Sequence, residues 1–293
     1  MRSGVVAVVG RPNTGKSTLV NALVGQKVAI VSDKPQTTRR GVRGVVTTPE
    51  SQVVFVDTPG FHKPRTLLGQ RLNQTVSTSV EGVDAIVQVV DAAAGVGRGD
   101  AYVYAQHVAP FDGPRFCAVN KIDALKHHAA VPQLDAASKL GDFDEIVPVS
   151  ARAGTGVREL LDLLVERMPE GPPLFPEDVA TDQTLEMRIA EIVREKALEL
   201  TREELPHSIE VVVEELSDDE DDGMLRVDAV VLVERESQKG IVIGRGGEML
   251  KTIGTRARKE LGAMLGRKVY LGLRVKVLRE WQRDPKALQR LGY

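Results

Sequence analysis

At 293 residues, 42% hydrophobic and 27% charged, the chain has room for two domains of ordinary size and the balance of a globular protein. No run of 18 apolar residues occurs, which excludes a helical membrane span, and one cysteine, Cys117, excludes an internal disulfide and a cysteine-built metal site. The formal net charge of −2 hides a division: residues 181–222 carry 4 basic and 15 acidic side chains, and residues 223–293 carry 16 basic and 7 acidic. A polyanion-binding surface in the last third is therefore compatible with the near-neutral total.

The first predicted strand is the apolar run Val5–Val9, too short for a secretory core and without a small-residue cleavage site, so the cytoplasm is the expected location. Directly after it, Gly10–Ser17 fits G-x-x-x-x-G-K-[ST] and opens a predicted helix, Lys16–Val24. In that strand–loop–helix context glycines let backbone N–H groups curl around phosphates, aided by the helix N-terminus. Lys16 places a charge on β- and γ-phosphate oxygens, and the Ser17 hydroxyl suits Mg²⁺. The predicted phosphate-side residues are Gly10, Asn13, Thr14, Gly15, Lys16, Ser17 and Thr18.

Pro35–Arg40 follows, where a first switch loop belongs. A threonine there can ligate Mg²⁺ through its hydroxyl and sense a γ-phosphate through its N–H; Thr38 is favoured, with Thr37 second. The run Val53–Val56 then ends in Asp57-Thr-Pro-Gly60. An aspartate at that strand end can hold a magnesium-bound water, and the Gly60 N–H can contact a γ-phosphate. The expected metal set is Ser17, Thr38 and Asp57.

Further strands are predicted at Ala85–Val90, at Phe116–Val119, where Cys117 reads as a core residue, and at Ile146–Val149, with helices over Val131–Leu140 and Val157–Arg167. Nearly continuous apolar strands alternating with helices imply a mostly parallel sheet covered on both faces. Two strand ends carry base-reading residues. At Asn120-Lys121-Ile122-Asp123 a carboxylate accepts from guanine N1–H and its amine, and a buried Asp123 would be left unpaired by adenine. After the last strand, Ser150-Ala151-Arg152 can close over the base and offer an N–H to guanine O6.

Four prolines and a glycine fall within Met168–Pro176, a density that stops helices and removes ladder donors. A linker is expected at 173–181, separating a nucleotide domain at 1–172 from a second domain at 182–293. That second domain reads as helix Leu185–Leu200, strands Ile209–Val213 and Leu225–Val233, a glycine-rich turn, a basic helix Gly247–Leu265 and a strand Lys268–Val277. The acidic Ser217–Gly223 reads as a solvated hairpin turn.

Gly244-Arg-Gly-Gly247, set in Ile241–Gly254, resembles the GxxG loop of KH domains, and the element order resembles the type II arrangement, an α+β fold. Glycines at such a turn let phosphates approach the backbone, and an adjoining apolar groove can take unpaired bases. Expected RNA contacts are Ile243, Gly244, Arg245, Gly246, Gly247, Lys251, Arg256 and Lys259, with Ile241 and Leu250 as further groove walls. Trp281 either anchors the last helix or stacks on a base.

Taken together, Gly10–Ser17, Pro35–Arg40, Asp57–Gly60, Asn120–Asp123, Ser150–Ala151, the proline-rich linker and the GxxG turn resemble the ribosome-associated GTPases, specifically the Era family. The resemblance spans essentially the whole chain. It implies an α/β P-loop GTPase domain followed by a type II KH domain, binding of GTP or GDP with Mg²⁺, and slow GTP hydrolysis. Phe61 stands where many small GTPases carry a water-orienting glutamine, so Mg²⁺, Lys16 and the amides around Thr38 and Gly60 would carry the electrostatics. Relatives with asparagine at the Asn13 position use it to help bind K⁺, which makes K⁺ an expected activator. The implied partners are small-subunit ribosomal RNA near its 3′ end and the 30S subunit, with a monomeric chain whose γ-phosphate state controls RNA access. The basic segment also admits peripheral association with the inner membrane. The alternative is a regulatory GTPase acting on a protein or membrane partner through a C-terminal docking module.

Overall fold

The computed structural model describes residues 1–34, 36–61, 64, 66–126, 129–202, 205–219 and 223–293. The chain divides into two compact units, Met1–Arg65 with Gly69–Asp182, and Thr66–Leu68 with Gln183–Tyr293.

The first unit is built on β1 (Arg2–Val9), α1 (Lys16–Val24), β2 (Val42–Thr47), β3 (Ser51–Asp57), α2 (Leu67–Val80), β4 (Ala85–Asp91), α3 (Arg98–Val103), β5 (Arg115–Asn120), α4 (Ala130–Ser138), β6 (Glu145–Pro148) and α5 (Val157–Arg167). The sheet order is β2-β3-β1-β4-β5-β6, parallel except for β2, which pairs antiparallel with β3. Side chains alternate across each strand, so β1 sends Val6 and Val8 into a core with Leu19 and Leu160, and Ala7 and Val9 into another with Val76 and Val103. Both sheet faces are thereby dry, which is why the strands read as unbroken apolar runs. Cys117 lies fully buried in β5, as its neighbours suggested.

The sheet sets the nucleotide's place and also holds the proline-rich stretch. Strands β1, β3, β4 and β5 run parallel, so their C-terminal ends share one edge, and the crevice at that edge is where ligands bind in open α/β sheets. The proline-rich stretch is tied to the same unit. Gln52, fully buried in β3, accepts from the Leu174 and Phe175 N–H groups at 2.6 and 2.9 Å and donates to the Phe175 carbonyl at 2.9 Å. Val45 N–H donates to the Ala180 carbonyl at 2.9 Å. The linker is a strap along the sheet edge because a buried glutamine needs backbone partners.

The second unit comprises α6 (Leu185–Leu200), α7 (Leu205–Ser208), β7 (Glu210–Asp218), β8 (Leu225–Val233), α8 (Glu236–Ile243), α9 (Glu248–Leu265), β9 (Val269–Val277) and α10 (Pro285–Arg290). Its three-stranded sheet has the order β7-β8-β9, antiparallel then parallel. Thr184 caps α6 by accepting the Met187 N–H at 3.3 Å. Ile189, Val193, Val227, Ile253, Ala257 and Leu261 form its core. The acidic hairpin differs from expectation: Ser217 and Asp218 continue β7 and pair with Arg226 and Leu225, while residues 220–222 lie outside the described residues. Trp281 is fully buried, donates its indole N–H to the Ser208 carbonyl at 3.1 Å and stacks on Tyr293, so it is an anchor and offers no face to a base.

Candidate functional site

The phosphate loop turns because of its backbone. Asn13 and Gly15 sit at positive φ, 64° and 94°, and a Cβ at Gly15 would collide with the Asn120 amide. The cleft above the loop is lined by Asn13, Gly15, Lys16, Ser17, Thr18, Thr38 and Gly60, with Pro12, Val31, Ser32, Gln36 and Thr37 completing the wall. Lys16 is buried at the start of α1 and donates to the Gly10 and Arg11 carbonyls at 3.2 and 2.9 Å. Burial lowers its pKa to about 8 against the opposing pull of Asp57. An ammonium held at such a cost is suited to polyanionic phosphates, which would restore its charge.

The three expected metal residues meet at one point. Ser17 Oγ donates to Asp57 Oδ2 at 2.6 Å, Thr38 Oγ1 donates to the same oxygen at 3.1 Å, and the two hydroxyls lie 2.9 Å apart. Asp57 is fully buried, and desolvation raises its pKa despite Lys16, Ser17 and Thr38, which act the other way. Its Oδ1 has no hydrogen-bond partner among the described residues. A buried carboxylate oxygen without a donor, beside two hydroxyls, is a hard oxygen set that fits Mg²⁺. The ion would supply positive charge to the β- and γ-phosphate oxygens. Thr37, the second choice, donates to the Lys34 carbonyl at 2.6 Å within its own loop. Of the Pro35–Arg40 segment, Pro35 lies outside the described residues.

Gly60 packs its backbone on Pro12; a Cβ there would stand 2.7 Å from the Pro12 Cα. The neighbouring Phe61 ring lies edge-on to His107, centroids 4.6 Å apart, and 5.5 Å from Tyr102. Phe61 thus belongs to an aromatic cluster and has no polar atom to orient water. The Asn13 amide nitrogen donates to the Asp33 carbonyl at 2.9 Å, tying the phosphate loop to the segment before Thr38.

At the base side, Asn120 acts as a staple. Its Nδ2 donates to the Thr14 carbonyl at 2.9 Å, and its Oδ1 accepts the Lys121 and Ala151 N–H groups at 2.8 and 3.0 Å. Lys121 bridges the Asn13 carbonyl at 2.7 Å and Asp91 at 2.6 Å. Ser150 is fully buried and donates to Asp123 Oδ1 at 2.6 Å. One expectation needs correction. Asp123 is exposed, not buried, so its power to reject adenine arises only when a base covers it.

In the second unit the GxxG turn joins α8 to α9. Gly244, Gly246 and Gly247 have φ of 75°, 59° and 84°. A Cβ at Gly244 would strike Met249 at 2.6 Å, whereas at Gly246 and Gly247 it would meet nothing within 4 Å, leaving that backbone open to approach. A groove beside the turn is lined by Gly247, Leu250, Lys251, Gly254, Thr255, Arg258, Leu271 and Leu273. Arg245 and Gly246 are exposed at the turn; Ile243 is half-buried against the core, while Ile241 is 54% exposed. Arg256 leaves the groove for Glu199, 3.4 Å away, because α9 turns that side toward α6. Lys259 is exposed and lies outside the groove lining. Thr255 and Arg258, one and two helical turns from Lys251, are polar groove residues that the expected set omitted, with Gly254, Leu271 and Leu273; i, i+4, i+7 spacing could have found the first two.

Comparison with known proteins matches residues 5–121 to the family described as 50S ribosome-binding GTPase and residues 204–282 to the KH domain. The chain is 51% identical to GTPase Era of Mycolicibacterium smegmatis over 297 residues, covering 100% of this chain and 99% of that one. It is 50% identical to GTPase Era of Mycobacterium tuberculosis over 295 residues, 99% and 98% of the two chains. Among solved structures, Aquifex aeolicus Era bound to GDP and AlF4⁻ is 43% identical with a TM-score of 0.96, covering 100% and 99% of the two chains. Era in complex with MgGDPNP and nucleotides 1506–1542 of 16S ribosomal RNA is 43% identical with a TM-score of 0.97 at the same coverage. A phosphate loop, a Ser17–Thr38–Asp57 cluster, a GxxG groove and half of all residues shared end to end leave one assignment: the chain belongs to the Era family of GTPases.

Proposed function

We propose that this GTPase is a molecular switch that binds single-stranded ribosomal RNA near the 3′ end of the small-subunit RNA and assists assembly of the 30S subunit. The observation that carries the reading is the full-length likeness to an Era captured with MgGDPNP and 16S RNA together. The nucleotide domain at 1–172 binds GTP or GDP with Mg²⁺, and the domain at 182–293 takes RNA along the groove beside Gly244–Gly247. Lys16, Ser17, Thr38, Asp57 and Gly60 hold the phosphate end, Asn120, Lys121, Asp123, Ser150 and Ala151 the guanine end. Lys16 and the N–H groups of Thr38 and Gly60 stabilise the charge that develops on the transferred phosphoryl group, and Phe61 leaves hydrolysis slow. Thr38 and Gly60 respond to the γ-phosphate, and that response governs access to the RNA surface. The chain acts as a cytoplasmic monomer, with peripheral contact to the inner membrane through its basic segment. The Asn13 amide supports K⁺ as an activator, which equal hydrolysis rates in KCl and NaCl at fixed ionic strength would disprove.

The test is binding of the full chain to single-stranded RNA from the 3′ end of small-subunit ribosomal RNA and to a scrambled RNA, over a salt series. Selective binding that weakens with salt and is lost in Gly244→Asp/Gly247→Asp supports the reading. Equal binding of both RNAs, or binding untouched by the double substitution, removes it.

A further inference from the structure

Arg11 is the second residue of the phosphate loop, yet it is absent from the lining of the nucleotide cleft. Its guanidinium runs to α3. Nε donates to Asp100 Oδ1 at 2.7 Å, and Nη2 donates to the Gly95 carbonyl at 3.2 Å. Asp100 is fully buried, its second oxygen accepts the Gly97 N–H at 2.9 Å, and its carbonyl accepts from the buried Gln88 amide at 2.9 Å. Gly99 leaves the passage clear, since a Cβ there would collide with Arg11 Cδ. At its other end the same residue serves the site. The Arg11 carbonyl accepts Lys16 Nζ at 2.9 Å and Thr14 Oγ1 at 3.1 Å.

A pair with one partner fully buried and the other about a quarter exposed is a weak source of stability, because desolvation offsets most of the attraction. Its geometry accounts for it better. Four hydrogen bonds locate Asp100 and Arg11 relative to the sheet, and two more transmit that location to Lys16 and Thr14. We propose that Arg11 and Asp100 form a positioning pair for GTP hydrolysis, in which the guanidinium anchored on α3 fixes the Arg11 carbonyl and that carbonyl sets where Lys16 stands for the phosphates. Helix α3 also carries Tyr102, whose ring meets Phe61, so one short helix abuts both the phosphate loop and the residue after Gly60. Neither residue lines the nucleotide cleft; both act through Lys16.

Full-length Arg11→Met, Arg11→Met/Asp100→Asn and Arg11→Lys are compared with the parent for single-turnover GTP hydrolysis, GDP affinity and denaturant unfolding. Arg11→Met leaves a buried carboxylate unpaired and loses stability. The double variant removes that charge and recovers it. Hydrolysis does not recover: misplacement of Lys16 leaves the double variant about tenfold or more below the parent in rate, with GDP bound about tenfold more weakly. Arg11→Lys keeps the charge but not the two-point fork, and falls between. If stability and hydrolysis return together to within about twofold in the double variant, the pair is structural and the proposal is wrong. Should the double variant remain unstable, Arg11→Lys decides. Slowed hydrolysis at parental stability upholds the pair, and parental hydrolysis overturns it.

Discussion

Replacing Lys16 by Met should change the pH dependence of folding in the nucleotide-free protein. The Lys16 pKa falls from 10.5 to about 8 on folding, chiefly through burial. Between those values the unfolded chain holds a proton that the folded chain has lost, so the Lys16 contribution to stability rises with pH. Below pH 8 both states are protonated and the full cost of burying the ammonium is present, about 3 kcal/mol at ~1.4 kcal/mol per pKa unit. The difference in unfolding free energy, Lys16→Met minus parent, should therefore be flat up to about pH 8. It should then fall by ~1.4 kcal/mol per pH unit toward pH 10. Taking the difference matters, because the buried Cys117 thiol has its pKa raised and pulls the parent curve the opposite way. Urea unfolding at half-unit steps from pH 7 to 10, without nucleotide, measures it. A difference independent of pH would show that burial does not strain the Lys16 charge, and the argument that phosphates relieve that strain would fall with it.

Other perturbations reach different parts of the molecule. Asp123→Asn keeps the Ser150 contact but loses the second acceptor for guanine, so GDP should bind about a hundredfold more weakly; unchanged affinity by titration calorimetry would remove Asp123 from base recognition. Trp281→Ala empties the largest fully buried side chain and strands the Ser208 carbonyl, costing about 3–5 kcal/mol in denaturant unfolding. Cys117 should resist a thiol reagent at pH 8 in native protein and react once unfolded, since burial holds the thiolate far out of reach; rapid native labelling would contradict its place in β5.

Much of this molecule was legible from residue order. The apolar runs in β1, β3, β4, β5 and β6 announced themselves because both sheet faces are covered, and Ser17, Thr38 and Asp57 converge as chemistry required. Strand β2 was given no bounds, since Val42–Thr47 shows no regular alternation: Arg43 and Gly44 are followed by the adjacent pair Val45 and Val46. The Arg11–Asp100 pair joins residues 89 positions apart, a separation that no local pattern encodes. Asn120 was expected at the base, and its threefold staple between Thr14, Lys121 and Ala151 needed the fold to be seen. Trp281 was undecided between a base and a helix because composition gives no burial. The Pro-rich strap looked like a free linker because proline reports what a segment cannot form and is silent on the buried Gln52 that holds it.

Control of RNA binding by the nucleotide state is open to one direct measurement. The affinity of the full chain for the 3′-end RNA is determined with a non-hydrolysable GTP analogue and Mg²⁺, with GDP and Mg²⁺, and with the analogue on Lys16→Ala. A switch requires at least about tenfold tighter binding with the analogue than with GDP, a coupling of ~1.4 kcal/mol, and its loss in Lys16→Ala. Equal affinity in all three conditions would leave a GTPase and an RNA-binding domain on one chain with no switch between them.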